Sequence, residues 1–110
     1  MTLAEIFTML DGIPGFKDKV AYHAFPVGEA PELPFICYLD TQTSNFVADN
    51  RVYTILQEID IELYSARKDF ASEAAIEAVL AENNIVWEKY EDYISDEAVY
   101  EVTYTITTNQ

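Results

Sequence analysis

A single histidine, His23, and a single cysteine, Cys37, stand in a chain of 110 residues. One cysteine cannot close an internal disulfide, so the framework of a small secreted domain is excluded. A zinc centre needs three or four suitable ligands, and these two residues on separate segments do not supply them. Any serine nucleophile would have to take His23 as its base, and there is no G-x-S-x-G turn. "GIPGFKDK" holds two glycines and two lysines, but Pro14 and the spacing spoil a phosphate cradle, and it reads as a helix stop and turn. No apolar run approaches the roughly 20 residues of a membrane-spanning helix. "MTLAEIFTML" has neither a basic start nor a cleavage pattern, so it is not expected to be a signal peptide, and an intracellular location during folding is the expectation.

Positive charge is the other scarcity. Six Lys and Arg face twenty Asp and Glu, for a net charge of −14. Binding to nucleic-acid phosphates draws on cations that displace condensed counterions, so tight nucleic-acid binding is not expected. Docking on an anionic membrane is disfavoured for the same reason. The charge also opposes close self-approach unless bases or cations sit at the contacts.

What is present is a well-patterned domain. Half the residues are apolar or aromatic, and a chain of this size buries roughly two-thirds of its unfolded surface. Thr2 and Glu5 form a T-x-x-E capping box ahead of Leu3, Ile6, Phe7 and Leu10, a helical stripe that Gly12 and Pro14 bring to a stop. "KVAYHAFP" reads as a short strand, "VGEAPELP" as a loop, "FICYL" as a buried strand and "DTQTSNFVADN" as a polar loop or frayed edge. From Arg51 to Ser65, Tyr53, Ile55, Ile59, Ile61 and Leu63 alternate with Thr54, Glu58, Asp60 and Glu62, which predicts a long strand with one apolar face. Leu56 and Gln57 interrupt the alternation, as a bulge or a covered end would. "ARKDFASEAAIEAVLAENN" predicts a second helix capped by Asp69, with Phe70, Ala74, Ala75, Ile76, Val79 and Leu80 as its apolar stripe. "IVWEKYEDY", "ISDEA" and "VYEVTYTIT" read as a hairpin, although Trp87, Tyr90 and Ile94 also fit a helix. The expectation is one α+β domain over 1–110. It comprises a mostly antiparallel sheet of four to five strands with two helices packed on one face. The order is α-β-β-β-α-β-β, with one of the early strands short.

Glu58, Asp60 and Glu62 share one side of the long strand, about 7 Å apart in succession. A glycosidase pair needs a cleft with one acid in an apolar pocket, and a calcium loop needs D-x-D-x-D-G spacing. Neither is evident, so no catalytic, metal or cofactor residues are assigned. The acids read as a solvated sheet face or as an acidic surface with a purpose. His23 reads as a half-exposed strand residue and Cys37 as a small buried hydrophobe. Phe46, bare in a polar segment, either tucks onto the core or anchors on a partner.

"LPFICYLDTQTSNFVADNRVY", "IELYSARKD" and "YISDEAVYEVTYTI" resemble the small neck proteins of long-tailed bacteriophages and prophages, in particular the tail-terminator or tail-completion group. The resemblance runs from about Leu3 to Thr107. It rests on the L-P before an apolar strand, the N-F-x-A-D-N segment, the E-L-Y-S strand end and the Y-I-x-D-E turn. It implies a non-enzymatic virion protein of the tail neck, assembled in the host cytoplasm. Such proteins form a ring, typically of six copies, that caps the tail tube and stops its growth. The ring meets the tail-tube protein on one side and a head-completion or connector protein on the other, and DNA passes through its centre. On that footing Glu58, Asp60, Glu62, Asp92, Asp96 and Glu97 are candidate lumen acids. Phe46, Arg51, Arg67 and Lys68 are candidate subunit or partner contacts. The competing reading is a small acidic DNA mimic that inhibits a nucleic-acid-binding enzyme.

Overall fold

The computed structural model describes the backbone of residues 1–48 and 51–109, and the side chains of 1–43 and 56–108. The elements run α1 (Leu3–Asp11), β1 (Val20–Tyr22), β2 (Phe35–Ala48), β3 (Arg51–Ser65), α2 (Phe70–Glu82), β4 (Trp87–Ile94) and β5 (Val99–Asn109). The fold is α+β in the expected element order. Five strands form one sheet in the order β1-β2-β3-β5-β4. Every pairing is antiparallel except that of β1 with β2.

Both helices cover the same face. Ile6 and Leu10 of α1, with Ile76 and Leu80 of α2, pack with Ile36 and Tyr38 of β2, Ile59, Ile61 and Leu63 of β3, and Val102, Tyr104 and Ile106 of β5. The register aligns these residues in rows: Ile36, Leu63 and Val102 in one, and Tyr38, Ile61 and Tyr104 in the next. A slip of one residue in β3 would turn this set to the opposite face, so its pairing is held by the core itself.

The helix ends follow from local chemistry. The Thr2 hydroxyl accepts from the Glu5 amide while the Glu5 carboxylate accepts from the Thr2 amide, at 3.2 and 2.9 Å. Asp69 caps α2 through the Ser72 amide at 3.0 Å. Asn84 takes the left-handed conformation (φ 57°) just past α2. This lets Ile85 donate to the Leu80 carbonyl and Asn84 to that of Ala81, the paired bonds of a Schellman stop.

Several expectations are corrected. The segment expected to be a polar loop or frayed edge is the second half of β2, which pairs with β3 as far as Ala48 opposite Arg51. Its polar composition gives little strand signal of its own, and a long partner strand supplies the ladder. The irregularities lie at Thr41, between Asp40 and Gln42, and between Phe46 and Val47. The strand β3 runs straight through Leu56 and Gln57. Gln57 stays on the core side, and its side-chain amide donates to the Gln42 carbonyl at 2.9 Å. Phe70 is 73 % exposed and Ala74 is also exposed, because α2 turns Glu73, Ile76 and Leu80 inward instead. Phe7 lies mostly outside the core as well. The strand expected in "KVAYHAFP" ends at Tyr22, and His23 is exposed just beyond it with φ 68°. Trp87 to Ile94 is a strand.

Beyond the Leu56–Asn109 pair, β3 has only β2 beside it among the described residues. The two therefore continue as a two-stranded ribbon. The radius of gyration is 14.8 Å and the extents are 49 × 29 × 24 Å, against about 13 Å for a compact chain of this length.

Candidate functional site

The side of the sheet opposite the helices gathers the acids. Along β3, Glu58, Asp60 and Glu62 alternate with the core residues Ile59 and Ile61 and so point away from them. On the neighbouring strands the same parity brings Glu101 of β5 opposite Tyr64, Asp92 of β4 opposite Glu101, and Glu88 opposite Thr105. Glu88 and Glu101 were not picked out from the sequence. The register that brings them beside the β3 acids follows from which strands neighbour β3, and no local pattern states that.

Most of these carboxylates are held by neutral donors. The Thr105 hydroxyl donates to Asp60 at 2.8 Å and the Tyr64 hydroxyl to Glu62 at 3.2 Å. The Thr103 hydroxyl donates to Glu101 at 3.4 Å, and the Gln42 side-chain amide donates to Glu58. Such donors fix an acid's position without cancelling its charge. Burial, with Glu101 close by, pushes the Glu62 carboxyl above the ordinary range, partly offset by the Tyr64 hydrogen bond. Burial and the two carboxylates also push the Tyr64 hydroxyl upward, so it remains a donor. Cys37 lies beneath, buried as expected, with its thiol pushed up to about 11 by burial and by Glu62 and Glu101.

Two of the bases, Lys68 and Lys89, are engaged on the other side. Lys68 lies 2.8 Å from Glu73 and also pairs with Glu91, while Lys89 lies 2.8 Å from both Glu73 and Glu77. Glu73 is only 3 % exposed. Burial alone would raise its carboxyl, but hydrogen bonds from Lys68 and Lys89 outweigh that and hold it below the ordinary range. The buried Tyr104 hydroxyl donates to Glu77 at 2.7 Å, completing a seam between α2 and the edge of the sheet. Lys68, a candidate partner contact, is thus engaged within its own chain. Arg67 is exposed and, among the described residues, has no ion pair. On the ribbon backbone Phe46 pairs with Thr54 and Arg51 with Ala48, but the side chains of Phe46 and Arg51 fall outside the described residues. Asp92 is on the acidic face. Asp96 and Glu97 are exposed in the turn between β4 and β5, at one end of the sheet.

A cavity of about 340 Å³ lies where the loop after β1 folds against this face, lined by His23, Phe25, Leu33, Phe35, Tyr64 and Val99 among others. Phe25 and Phe35 meet edge to face at 5.2 Å. Neither Glu62 nor Glu101 lines it, whereas Glu97 and Cys37 do, and Tyr64, which donates to Glu62, forms part of its wall. Among the described residues, no group of three His, Cys, Asp or Glu side chains is arranged to hold a metal ion, and no helix is long and apolar enough to cross a membrane. No protein-family model matches the chain, and neither does any curated protein sequence.

Proposed function

We propose that this protein is a structural component of a phage or prophage neck. In this reading copies of the chain form a ring at the head-proximal end of the tail tube. The ring ends tube polymerisation, offers the head-completion or connector protein a docking surface, and turns its acidic sheet face toward the DNA channel. The observation that carries the reading is the division of charge. Carboxylates on the helix-free face are positioned by neutral hydroxyls and an amide, while Lys68 and Lys89 are drawn into the seam under α2. A wall whose acids keep their charge repels phosphate, so DNA can slide past without adhering.

The test has two parts. The mass of the chain is measured with and without the tail-tube protein, and a closed ring seated on tube ends is expected. Replacing Glu58, Asp60 and Glu62 by lysine is then expected to leave rings intact and to slow or stall DNA ejection. Unchanged ejection removes the channel role. Tight, salt-sensitive binding to a basic nucleic-acid enzyme by a chain that never forms rings supports the DNA-mimic reading instead.

A further inference from the structure

The helix-free face of the sheet changes character along β3. Around Glu58 and Asp60 it carries acids and hydroxyls. At the Tyr64 end the loop between β1 and β2 folds over it and encloses the cavity of about 340 Å³. Three aromatic rings in series form part of the lining: Phe25 meets Phe35 with centroids 5.2 Å apart, and Phe35 meets Tyr64 at 5.3 Å. Leu33, Cys37 and Val99 add apolar surface, and Glu97 and His23 bring polar side chains to it. Pro26, Pro31 and Pro34 restrict the backbone of the covering loop, and the His23 amide ties its start to the Tyr38 carbonyl at 2.8 Å. A loop so constrained holds the cavity open without a ligand, and the volume lies at the small end of the roughly 300–1,000 Å³ range of ligand sites.

The surroundings of the cavity are acidic. Glu97 lines it, the Tyr64 hydroxyl donates to Glu62 at 3.2 Å, and Glu101 stands opposite Tyr64 in the strand register. Among the described residues no lysine or arginine lines it. Lys19, whose carbonyl accepts from the Ile36 amide, is the base beside this strand end, and the three acids outweigh it. A cation seated against an aromatic ring is attracted by the ring's quadrupole, and nearby carboxylates add to that attraction. The lining also selects the kind of cation. A primary ammonium brings three N–H donors that must each find an acceptor, and a mostly apolar wall offers few. A quaternary ammonium brings none, so it gives up less on entering.

We propose that this cavity is a binding site for a small quaternary ammonium compound, its methylated head against Phe25, Phe35 and Tyr64 and its charge toward Glu97. The site stands apart from the neck reading, because it needs neither a ring nor a second copy of the chain.

Choline is the probe. Its carbon isostere, with a tert-butyl group in place of the trimethylammonium, is the neutral control, and n-butylammonium is the primary amine. Binding to the full chain is followed by amide NMR at constant ionic strength, because a chain of charge −14 draws any cation to its surface. Choline is expected to saturate, with shifts confined to the cavity residues, and to bind at least about fivefold more tightly than the isostere or the amine. Phe25→Leu keeps apolar bulk without the ring, and Glu97→Gln removes a charge at an exposed turn position. Each is expected to weaken choline binding about three- to tenfold. Circular dichroism checks the fold, and if Phe25→Leu unfolds, Glu97→Gln decides. An absence of binding, shifts spread over the acidic face without saturation, an isostere that binds as tightly as choline, or variants that bind like the wild type overturn the proposal. Tighter binding of n-butylammonium also overturns it, and points to a lysine side chain of a partner instead. None of these results bears on rings at tail-tube ends, so the neck reading stands or falls by its own test.

Discussion

Glu73 is the sharpest place to test how the fold handles its charge. Its carboxylate is 3 % exposed and touches both Lys68 and Lys89, which are themselves 30 % and 35 % exposed. Replacing both lysines by methionine keeps the aliphatic stems that pack beside α2 and removes the charges. An acid is then left in the seam with no cation. Stranding a buried charge in this way costs about 3–5 kcal/mol, a large share of the roughly 5–15 kcal/mol expected for a chain of this length. Either single replacement is expected to cost about 1–2 kcal/mol, because the remaining lysine still satisfies Glu73. The double variant should therefore lose more than the sum of the singles, as coupled neighbours do. The pH dependence fixes the mechanism. In the wild type the Glu73 carboxyl is held below its ordinary value, so it adds stability above the unfolded value, and that stability is lost as pH falls through the folded one. In the double variant burial acts unopposed and raises the carboxyl. Its penalty then grows as pH rises above the unfolded value. Urea denaturation should show a wild-type advantage that is larger at pH 8 than at pH 5. An advantage that is equal at both pH values, or a double variant as stable as the wild type at pH 8, refutes this account.

Three further outcomes are expected. Cys37, buried and with its thiol at about 11, should resist a thiol reagent at pH 8 in the folded protein and react at once in denaturant; prompt labelling of the native chain contradicts its placement. Gln57→Leu should cost about 1–3 kcal/mol in chemical denaturation by leaving the Gln42 carbonyl at the β2 irregularity without its side-chain donor, and a neutral result removes that role. Ala98→Gly should stabilise by up to about 1 kcal/mol, since Ala98 holds φ 53° in the turn before β5 and glycine adopts that conformation without steric cost; destabilisation shows that chain entropy outweighs the relief.

Periodicity was informative where one side of an element faces a core and the other faces water. Ile59, Ile61 and Leu63 alternating with Glu58, Asp60 and Glu62 was enough to orient β3 and to place three of the face acids. The Thr2–Glu5 box and the Asp69 cap depend on residues within one turn, and both formed as read. The reading of α2 failed at Phe70. Helical spacing permits more than one stripe on an alanine-rich segment, and Lys68 just before the helix, with Lys89 from β4, made it possible to turn Glu73 inward. The second half of β2 was misread because its pairing energy comes from β3 and leaves no apolar alternation of its own. Glu88 and Glu101 escaped notice for a related reason: each belongs to the acidic face only through the strand next to it.

The amino-acid order by itself determined the element sequence, the two helix starts, the sidedness of β3, the burial of Cys37 and the excess of negative charge, because each follows from interactions among near neighbours or from composition. Tertiary structure alone decided which acids of the neighbouring strands join those of β3, which lysines are consumed beneath α2, and which aromatics come to lie at opposite edges of the sheet. Those outcomes depend on strand order and register, where residues far apart in the chain meet and compete for the same partners, and no short-range pattern encodes that competition.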